Sequence, residues 1–147
     1  MEAIRKILFA TDFSPGAEVA AATARQLAQQ MDAALEVVTV VDTSPLLEGY
    51  GDVAYREERI AAIRGQAREK LESLASELFA GVPGLSTQVR DGYTSREIIR
   101  AAQEMGAGMI VMGTHGRTGI AHLLIGSITE KVVRSSPIPV VTVRRAG

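Results

Sequence analysis

The segment MIVMGTHGRTGIAHLLIGS, from Met109 to Ser127, joins an apolar strand to a helix start through a glycine-rich loop. Its first four residues are typical of a buried strand. At its end, Ser127-Ile128-Thr129-Glu130 has the spacing of a capping box and predicts a helix that runs to about Ser135. A strand, a glycine loop and a helix N-terminus in this order form a site that favours an anion, because loop amides and helix amides converge there.

Four other apolar runs predict further strands, and the segments between them predict helices. The strands are expected at Ile7 to Ala10, Leu35 to Val41, Leu85 to Val89 and Ile138 to Val143. Helices are expected from an N-cap at Ser14 to about Met31, from Val53 to Phe79, and from a second capping box at Thr94 to Met105. Thr43 to Asp52 is expected to be a surface loop. Strands that alternate with helices predict an α/β fold, with a parallel sheet covered by helices on both faces.

The composition sets limits on domain number, site chemistry and location. The 147 residues are 46% hydrophobic and carry 16 basic against 17 acidic side chains, which is ordinary for one domain spanning residues 1–147. The absence of cysteine excludes disulfides and thiolate metal sites. Near-neutral charge disfavours nucleic acid and anionic membranes as partners, and 4% aromatic residues disfavour a flavin site. No apolar run suits a membrane span or a secretion signal, so we expect a cytoplasmic protein.

The glycine loop has two interpretations on sequence alone. With the helix start that follows, its glycines can bind a phosphate, or they can simply form a tight corner. The loop is neither G-x-x-x-x-G-K-[ST] nor G-x-G-x-x-G. His115 has no carboxylate nearby in sequence, which favours a bracing role over general-base catalysis. Asp12 follows the first strand and can close the turn before Ser14. We therefore expect no catalytic residue and no metal ligand.

The spacing of four residues in this loop carries a family resemblance. Gly113, Gly116, Gly126 and Ser127 are spaced as glycine, two residues, glycine, nine residues, glycine-serine. This pattern is similar to the nucleotide-binding signature of the ATP-binding branch of the universal stress protein family. The segment from Lys6 to Ser14 resembles that family's first strand and turn, and the final apolar run resembles its last strand. The resemblance therefore covers the whole chain.

The resemblance implies a five-stranded parallel sheet in the order 3-2-1-4-5, with a nucleotide at the carboxyl ends of strands one and four. Asp12 would then bind the ribose hydroxyls, and the backbone of Val40 would meet the adenine edge. The implied adenine slot is lined by Ala10, Thr11 and Met112. The implied phosphate site consists of Gly113, Gly116, Gly126 and Ser127, with Arg117 beside it as a further charge. The implied cofactor is ATP, which Mg²⁺ could accompany.

The resemblance also implies a function and a partner. The chain would be an ATP-binding stress-response protein, regulatory or protective, that works as a homodimer through the strand Ile138 to Val143. In the implied order that strand is an edge with unpaired backbone groups, which invites pairing with a second copy. A further protein partner is expected, of unspecified identity. Two other functions stay open: a nucleotide-free regulatory dimerisation module, and a slow ATP hydrolase or phosphoryl transferase.

Overall fold

The computed structural model describes residues 2–47, 51–115 and 125–145. The elements, in chain order, are β1 (Lys6–Ala10), α1 (Pro15–Met31), β2 (Ala34–Val41), α2 (Ser44–Leu47), α3 (Val53–Leu78), β3 (Ser86–Asp91), α4 (Thr94–Met105), β4 (Met109–Gly113), α5 (Ser127–Ser135) and β5 (Val140–Val143). Each predicted strand and helix is confirmed, with bounds within two residues of the prediction. In the part of the chain that the structure describes, no helix is both long and apolar enough to cross a membrane.

The strands form a parallel sheet in the order β3-β2-β1-β4-β5, which confirms the predicted fold class and strand order. The central strand β1 pairs with β2 as far as Ala10 and Val38, and with β4 as far as Phe9 and Val111. The helices that follow β1 and β4 pack on opposite faces of the sheet. The carboxyl ends of β1 and β4 therefore form the switch point of the sheet.

Successive side chains along each strand point to opposite faces of the sheet, where they pack against different helices. On one face, Phe9 packs with the alanines of α1 and with Leu71 of α3, and its ring meets the ring of Phe79 edge-on at a centroid distance of 5.5 Å. On the other face, Leu8 packs with α4 and with Val132 of α5. Both faces of the central strands are buried, which explains why their sequences are continuous apolar runs.

The prediction of two capping boxes is wrong, because their hydrogen bonds do not form, although both helices start where they were expected. The N-cap residues are Tyr93 and Gly126, one position before each box, and neither helix has a side-chain cap hydrogen bond. By contrast, the predicted N-cap of α1 is confirmed: Ala17 N–H donates to Ser14 Oγ at 3.2 Å.

Ion pairs explain why the boxes do not form. Arg90 Nε donates to Glu97 Oε1 at 3.0 Å, so this carboxylate binds β3 instead of reaching back to the start of its own helix. Glu130, the corresponding residue of α5, pairs with Arg134. Arg90 Nη1 also donates to Glu104 Oε2 at 2.8 Å, and this bond raises the pKa of Arg90 and lowers the pKa of Glu104. A contact with another element holds the carboxylate in α4, and a pair one turn along the same helix holds it in α5.

The expectation of a loop throughout Thr43 to Asp52 is wrong at its start, where Ser44–Leu47 form the helical turn α2. Asp42 Oδ1 accepts hydrogen bonds from Ser44 N–H at 3.0 Å and from Ser44 Oγ at 2.6 Å, which stabilises the beginning of this turn. Pro45 fits because the first turn of a helix needs no amide donor. Residues 48–50 of the same stretch lie outside the described residues.

The packing of α3 on the sheet predicts a large stability cost at Leu71, which is 1% exposed. Leu71→Ala is expected to lower the free energy of unfolding by about 2–5 kcal/mol, because it removes buried methyl groups and leaves a cavity. Urea titration followed by circular dichroism measures the loss. Glu69→Ala, on the exposed side of the same helix, is the control and is expected to stay within about 0.5 kcal/mol of wild type. A loss at Leu71 no larger than the control's would contradict the packing.

Candidate functional site

A cavity of about 740 Å³ lies at the carboxyl ends of β1, β2 and β4. Residues from α3, α4, α5 and the turn after β1 complete its walls. Its volume falls within the range of about 300–1,000 Å³ that is usual for small-molecule sites. Open parallel α/β sheets bind ligands at this edge, beside the switch point.

A second cavity, of about 460 Å³, lies between α3 and the start of β3. Its lining includes Leu85, Ser86 and Thr87, which lie at the amino end of the strand. That end of a parallel sheet is opposite to the edge where ligands bind in this class of fold. The cavity at the carboxyl edge is therefore the candidate site.

The turn after β1 forms one wall of the site. Asp12 Oδ1 accepts from Ser14 N–H at 3.0 Å, so the predicted turn-closing role of Asp12 is confirmed. Phe13 adopts a left-handed backbone with φ of +66°, which costs a bulky residue about 1–3 kcal/mol. Thr11 Oγ1 accepts from Phe13 N–H at 3.0 Å and helps to hold this conformation. Strain of this kind is concentrated at functional sites.

Val40, near the end of β2, directs its backbone N–H and C=O toward the space beyond the end of β1. Alternate residues of a parallel strand bond to the same side, and Val38 O accepts from Thr11 N–H at 2.9 Å on the β1 side. The backbone groups of Val40 therefore also point toward the β1 side. They lie beyond Ala10, which is the last residue of β1 that pairs with β2. Neither of its two backbone groups has a partner among the described residues. One donor and one acceptor are thus available side by side at the cavity.

Gly113, at the end of β4, is required by the packing of the chain against itself. A Cβ at this position would lie 2.9 Å from Gly16 O and 3.1 Å from Gly16 C. Conversely, a Cβ on Gly16 would lie 3.0 Å from the carbonyl oxygen of His115. The first turn of α1 and the end of β4 therefore meet backbone against backbone, and this close approach is what requires glycine at position 113.

The first turn of α5, from Gly126 to Thr129, lines the cavity. Gly126 N–H donates to Thr114 O at 2.6 Å, and Thr129 Oγ1 donates to Gly113 O at 2.8 Å. These two bonds attach the start of α5 to the end of β4. The following amides of the turn have no carbonyl to bond within the helix, and no side chain caps them. They present the positive end of the helix dipole to the cavity.

Few charges line the site. Among the described lining residues, Lys70 is the only lysine or arginine, and Asp12 and Asp42 are the only carboxylates. Lys70 Nζ lies 5.8 Å from the centroid of the Phe13 ring. In the described ranges, no three His, Asp or Glu side chains are grouped as a metal site. A Mg²⁺ ion here would therefore depend on the oxygens of a ligand for most of its coordination.

The structure brings eight of the ten predicted site residues together at this cavity: Ala10, Thr11, Asp12, Val40, Met112, Gly113, Gly126 and Ser127. Gly116 and Arg117 lie outside the described residues. His115 also lines the cavity, and its Nδ1 lies 3.1 Å from Thr114 Oγ1, which agrees with a bracing role.

Sequence reasoning missed several other lining residues, among them Phe13, Thr39 and Lys70. Thr39 carried a usable signal, because it places a hydroxyl in an apolar strand that is covered on both faces. Lys70 carried none, since a lysine on an amphipathic helix is ordinary. The strained backbone of Phe13 is equally invisible in the sequence, because left-handed conformations are rare for aromatic residues.

Residues 3–144 match the universal stress protein family. The chain belongs to this family. Universal stress protein MJ0531 of Methanocaldococcus jannaschii is 33% identical over 143 residues, which cover 96% of this chain and 82% of that protein. A universal stress protein of Thermus aquaticus is 33% identical over 140 residues, which cover 95% of this chain and 98% of that protein.

Solved structures share the fold of this universal stress protein. The structure of MJ0577 of Methanocaldococcus jannaschii has a TM-score of 0.85 and 28% identity, and the match covers 99% of both chains. A universal stress protein described in complex with cAMP has a TM-score of 0.64 and 24% identity, with 99% of this chain and 100% of that chain covered. A universal stress protein from Archaeoglobus fulgidus in complex with dAMP has a TM-score of 0.65 and 22% identity, and the match covers 96% of this chain and 98% of that chain. At these identities the last two are similar in fold.

The contact between the two turns predicts that Gly113→Ala destabilises the ligand-free protein. The added Cβ must displace backbone atoms of Gly16, so we expect a loss of about 1–3 kcal/mol in the free energy of unfolding. Gly65→Ala is the matched control: its Cβ would meet nothing within 4 Å, and alanine within a helix is expected to add about 0.5–1 kcal/mol. Denaturant titration measures both variants. Equal stability of Gly113→Ala and wild type would show that the turns can separate freely.

Proposed function

We propose that this universal stress protein is a single-domain, ATP-binding protein of the cytoplasm that acts in the stress response as a regulatory or protective homodimer. The main support for this proposal is a single cavity at the switch point. It combines an uncapped helix N-terminus, the Asp12 carboxylate and the unpaired backbone of Val40. That the fold accommodates adenine nucleotides is supported by the family members described in complex with cAMP and dAMP.

The strand order arranges the groups of the site in a line that suits a nucleotide. Val40 on β2 offers a donor and an acceptor to the edge of adenine. Asp12, after β1, offers a carboxylate to the ribose hydroxyls. The start of α5, which follows β4, offers amides to the phosphates. Because β2, β1 and β4 are neighbours in the sheet, we propose that base, ribose and phosphates lie in this order along its carboxyl edge.

The phosphate end of the proposed site depends on Gly126. Its φ of −74° and ψ of 161° suit any residue, so the backbone angles do not require glycine. Ser, Thr, Asp and Asn are favoured at an N-cap, where their side chains occupy the helix amides. A glycine leaves those amides open to an anion. We propose that Ser127, Lys70, Gly116 and Arg117 add contacts to the phosphates.

The apolar lining supports the proposed base position. Ala10 and Met112 lie on the face of the sheet that packs against α4 and α5, and both line the cavity. Small and flexible apolar side chains can contact the flat face of adenine by dispersion, without an aromatic sandwich. We propose that these two residues and Thr11 form the adenine slot.

The proposal predicts that affinity rises with the number of phosphates. ATP is expected to bind at least about tenfold more tightly than AMP, because each added anionic oxygen can accept from the helix amides or pair with Lys70. Gly126→Asp puts a carboxylate at the N-cap of α5, whose backbone angles accept it. ATP affinity is expected to fall at least about tenfold through like-charge repulsion, with adenosine affinity unchanged. Isothermal titration calorimetry measures both ligands.

Two variants make this test specific. Gly126→Asn has the shape of Gly126→Asp without the charge, so its loss of ATP affinity must be smaller. Asp12→Asn keeps an acceptor for Ser14 N–H and is expected to weaken ATP, AMP and adenosine by the same factor. If wild type binds ATP and AMP equally, or Gly126→Asp binds ATP as wild type does, the proposed phosphate site is refuted. If wild type binds no nucleotide, the nucleotide-free regulatory module is the better account.

The proposed dimer forms through β5, an edge strand of the sheet. Ile110 N–H donates to Pro139 O, and Thr114 N–H donates to Val143 O, so odd-numbered residues of this segment bond toward β4. The backbone groups of Val140 and Thr142 therefore point away from the sheet. Such an edge can pair with the same strand of a second copy across a two-fold axis.

Thr142→Pro tests this dimer. Proline removes an outward N–H and leaves the bonds to β4 in place, and edge strands tolerate proline. Light scattering at a few tens of micromolar, roughly the range of micromolar complexes, is expected to show a wild-type dimer and a monomeric variant with an unchanged circular dichroism spectrum. Thr142→Ala, which keeps the N–H, is expected to stay dimeric. A monomeric wild type, or a fully dimeric Thr142→Pro, would refute pairing through β5.

A further inference from the structure

Thr39 of β2 carries a hydroxyl group that the protein itself does not use. The side chain is 5% exposed and lines the cavity. Within the described residues its oxygen makes no hydrogen bond. Arg56 Nε is the only side-chain polar atom of those residues that is sealed from solvent without a partner, so the Thr39 oxygen remains open to the cavity.

The other buried threonines of the cavity differ from Thr39 because their hydroxyls are paired. Thr11 Oγ1 accepts from Phe13 N–H at 3.0 Å, and Thr129 Oγ1 donates to Gly113 O at 2.8 Å. A buried hydroxyl without a partner is costly, and buried polar groups in proteins are therefore nearly always satisfied. The exception at Thr39 indicates a partner that comes from outside the chain.

The surroundings of Thr39 increase the value of such a partner. Side chains alternate along a strand, so Thr39 lies on the same face as Val37, which packs against α1 and α3. The cavity lining that α3 and β2 contribute on this side includes Ile63, Ala67 and Val41. Gln66 and Lys70 of α3 also line the cavity, and neither bonds the Thr39 hydroxyl. A ligand that displaces water from this wall can therefore take the hydrogen bond, which is stronger where the ligand excludes water.

We propose that Thr39 is the core of a base-recognition subsite, in which its hydroxyl hydrogen-bonds the nucleobase of the bound nucleotide. This inference rests on the proposed function. Thr39 adjoins Val40, whose backbone is free to meet the base, whereas Asp12 and the start of α5 follow strands one and two places away in the sheet. The base is therefore the part of the ligand nearest to Thr39, which approaches it from the α3 side of the sheet while Ala10 and Met112 lie on the α4 side. A threonine hydroxyl can donate and accept, and a base edge carries both kinds of group.

Thr39→Val tests the subsite, because valine keeps the β-branched shape and removes only the hydroxyl. An effect is expected on the complex and none on the free protein. Without ligand, the melting temperature is expected to stay the same, since the substitution removes no hydrogen bond within the protein. In calorimetry, the affinities for ATP, AMP and adenosine fall by a common factor of about three to ten. Ribose 5-phosphate, which lacks the base, is expected to bind both proteins equally.

Two matched threonines serve as controls. Thr129→Val loses a paired hydroxyl and is expected to lower the melting temperature of the ligand-free protein. Thr87→Val, on the exposed surface of β3, is expected to change neither the melting temperature nor the affinity for ATP.

The outcomes separate the subsite from the proposed function. If wild type binds ATP and Thr39→Val binds it equally well, the subsite is overturned and the proposed function stands. A lower melting temperature for Thr39→Val would assign the hydroxyl to the fold and would also overturn the subsite. If wild type binds no nucleotide, both proposals fall.

Discussion

The backbone contact between the first turn of α1 and the end of β4 determines the geometry of the candidate site. Gly16 and Gly113 approach so closely that a Cβ on either would collide with the main chain of the opposite turn. This contact places the carboxylate of Asp12 and the first turn of α5 on the same cavity. Because the contact needs no ligand, the proposed ribose and phosphate groups are positioned before a nucleotide arrives, which reduces the ordering cost of binding.

The cavity combines paired and unpaired polar groups in a way that suits ligand binding. Hydrogen bonds from Gly126 N–H and Thr129 Oγ1 fix the start of α5, and Asp12 closes its own turn. The backbone of Val40 and the hydroxyl of Thr39 have no partner among the described residues. Leaving polar groups unpaired lowers stability, and a ligand that pairs them offsets that cost. The same distribution explains why removing the hydroxyl of Thr39 is expected to leave the free protein unchanged and to weaken the complex.

The fold could be predicted from the sequence because its signals are local and repeated. Five apolar runs separated by helical segments predict a covered parallel sheet, and the glycine spacing added the strand order by resemblance. The capping box of α4 failed because Glu97 is held by Arg90, a residue of another element, and that of α5 failed because Glu130 pairs with Arg134 of its own helix. The left-handed Phe13 and the space open to Thr39 also depend on contacts between distant segments. Site residues that a sequence motif marks by its spacing were therefore predictable. Residues whose role depends on contacts with distant parts of the chain were not.

The most direct measurement of the central claim is the NMR chemical shift of the amides in the first turn of α5. The claim is that these amides bind phosphate while the groups of β1 and β2 bind adenosine. ATP is expected to shift the amide resonances of Ser127, Ile128 and Thr129 together with that of Val40, whereas adenosine is expected to shift Val40 and leave the helix amides in place. Equal shifts of the helix amides with both ligands, or none with ATP, would contradict the account.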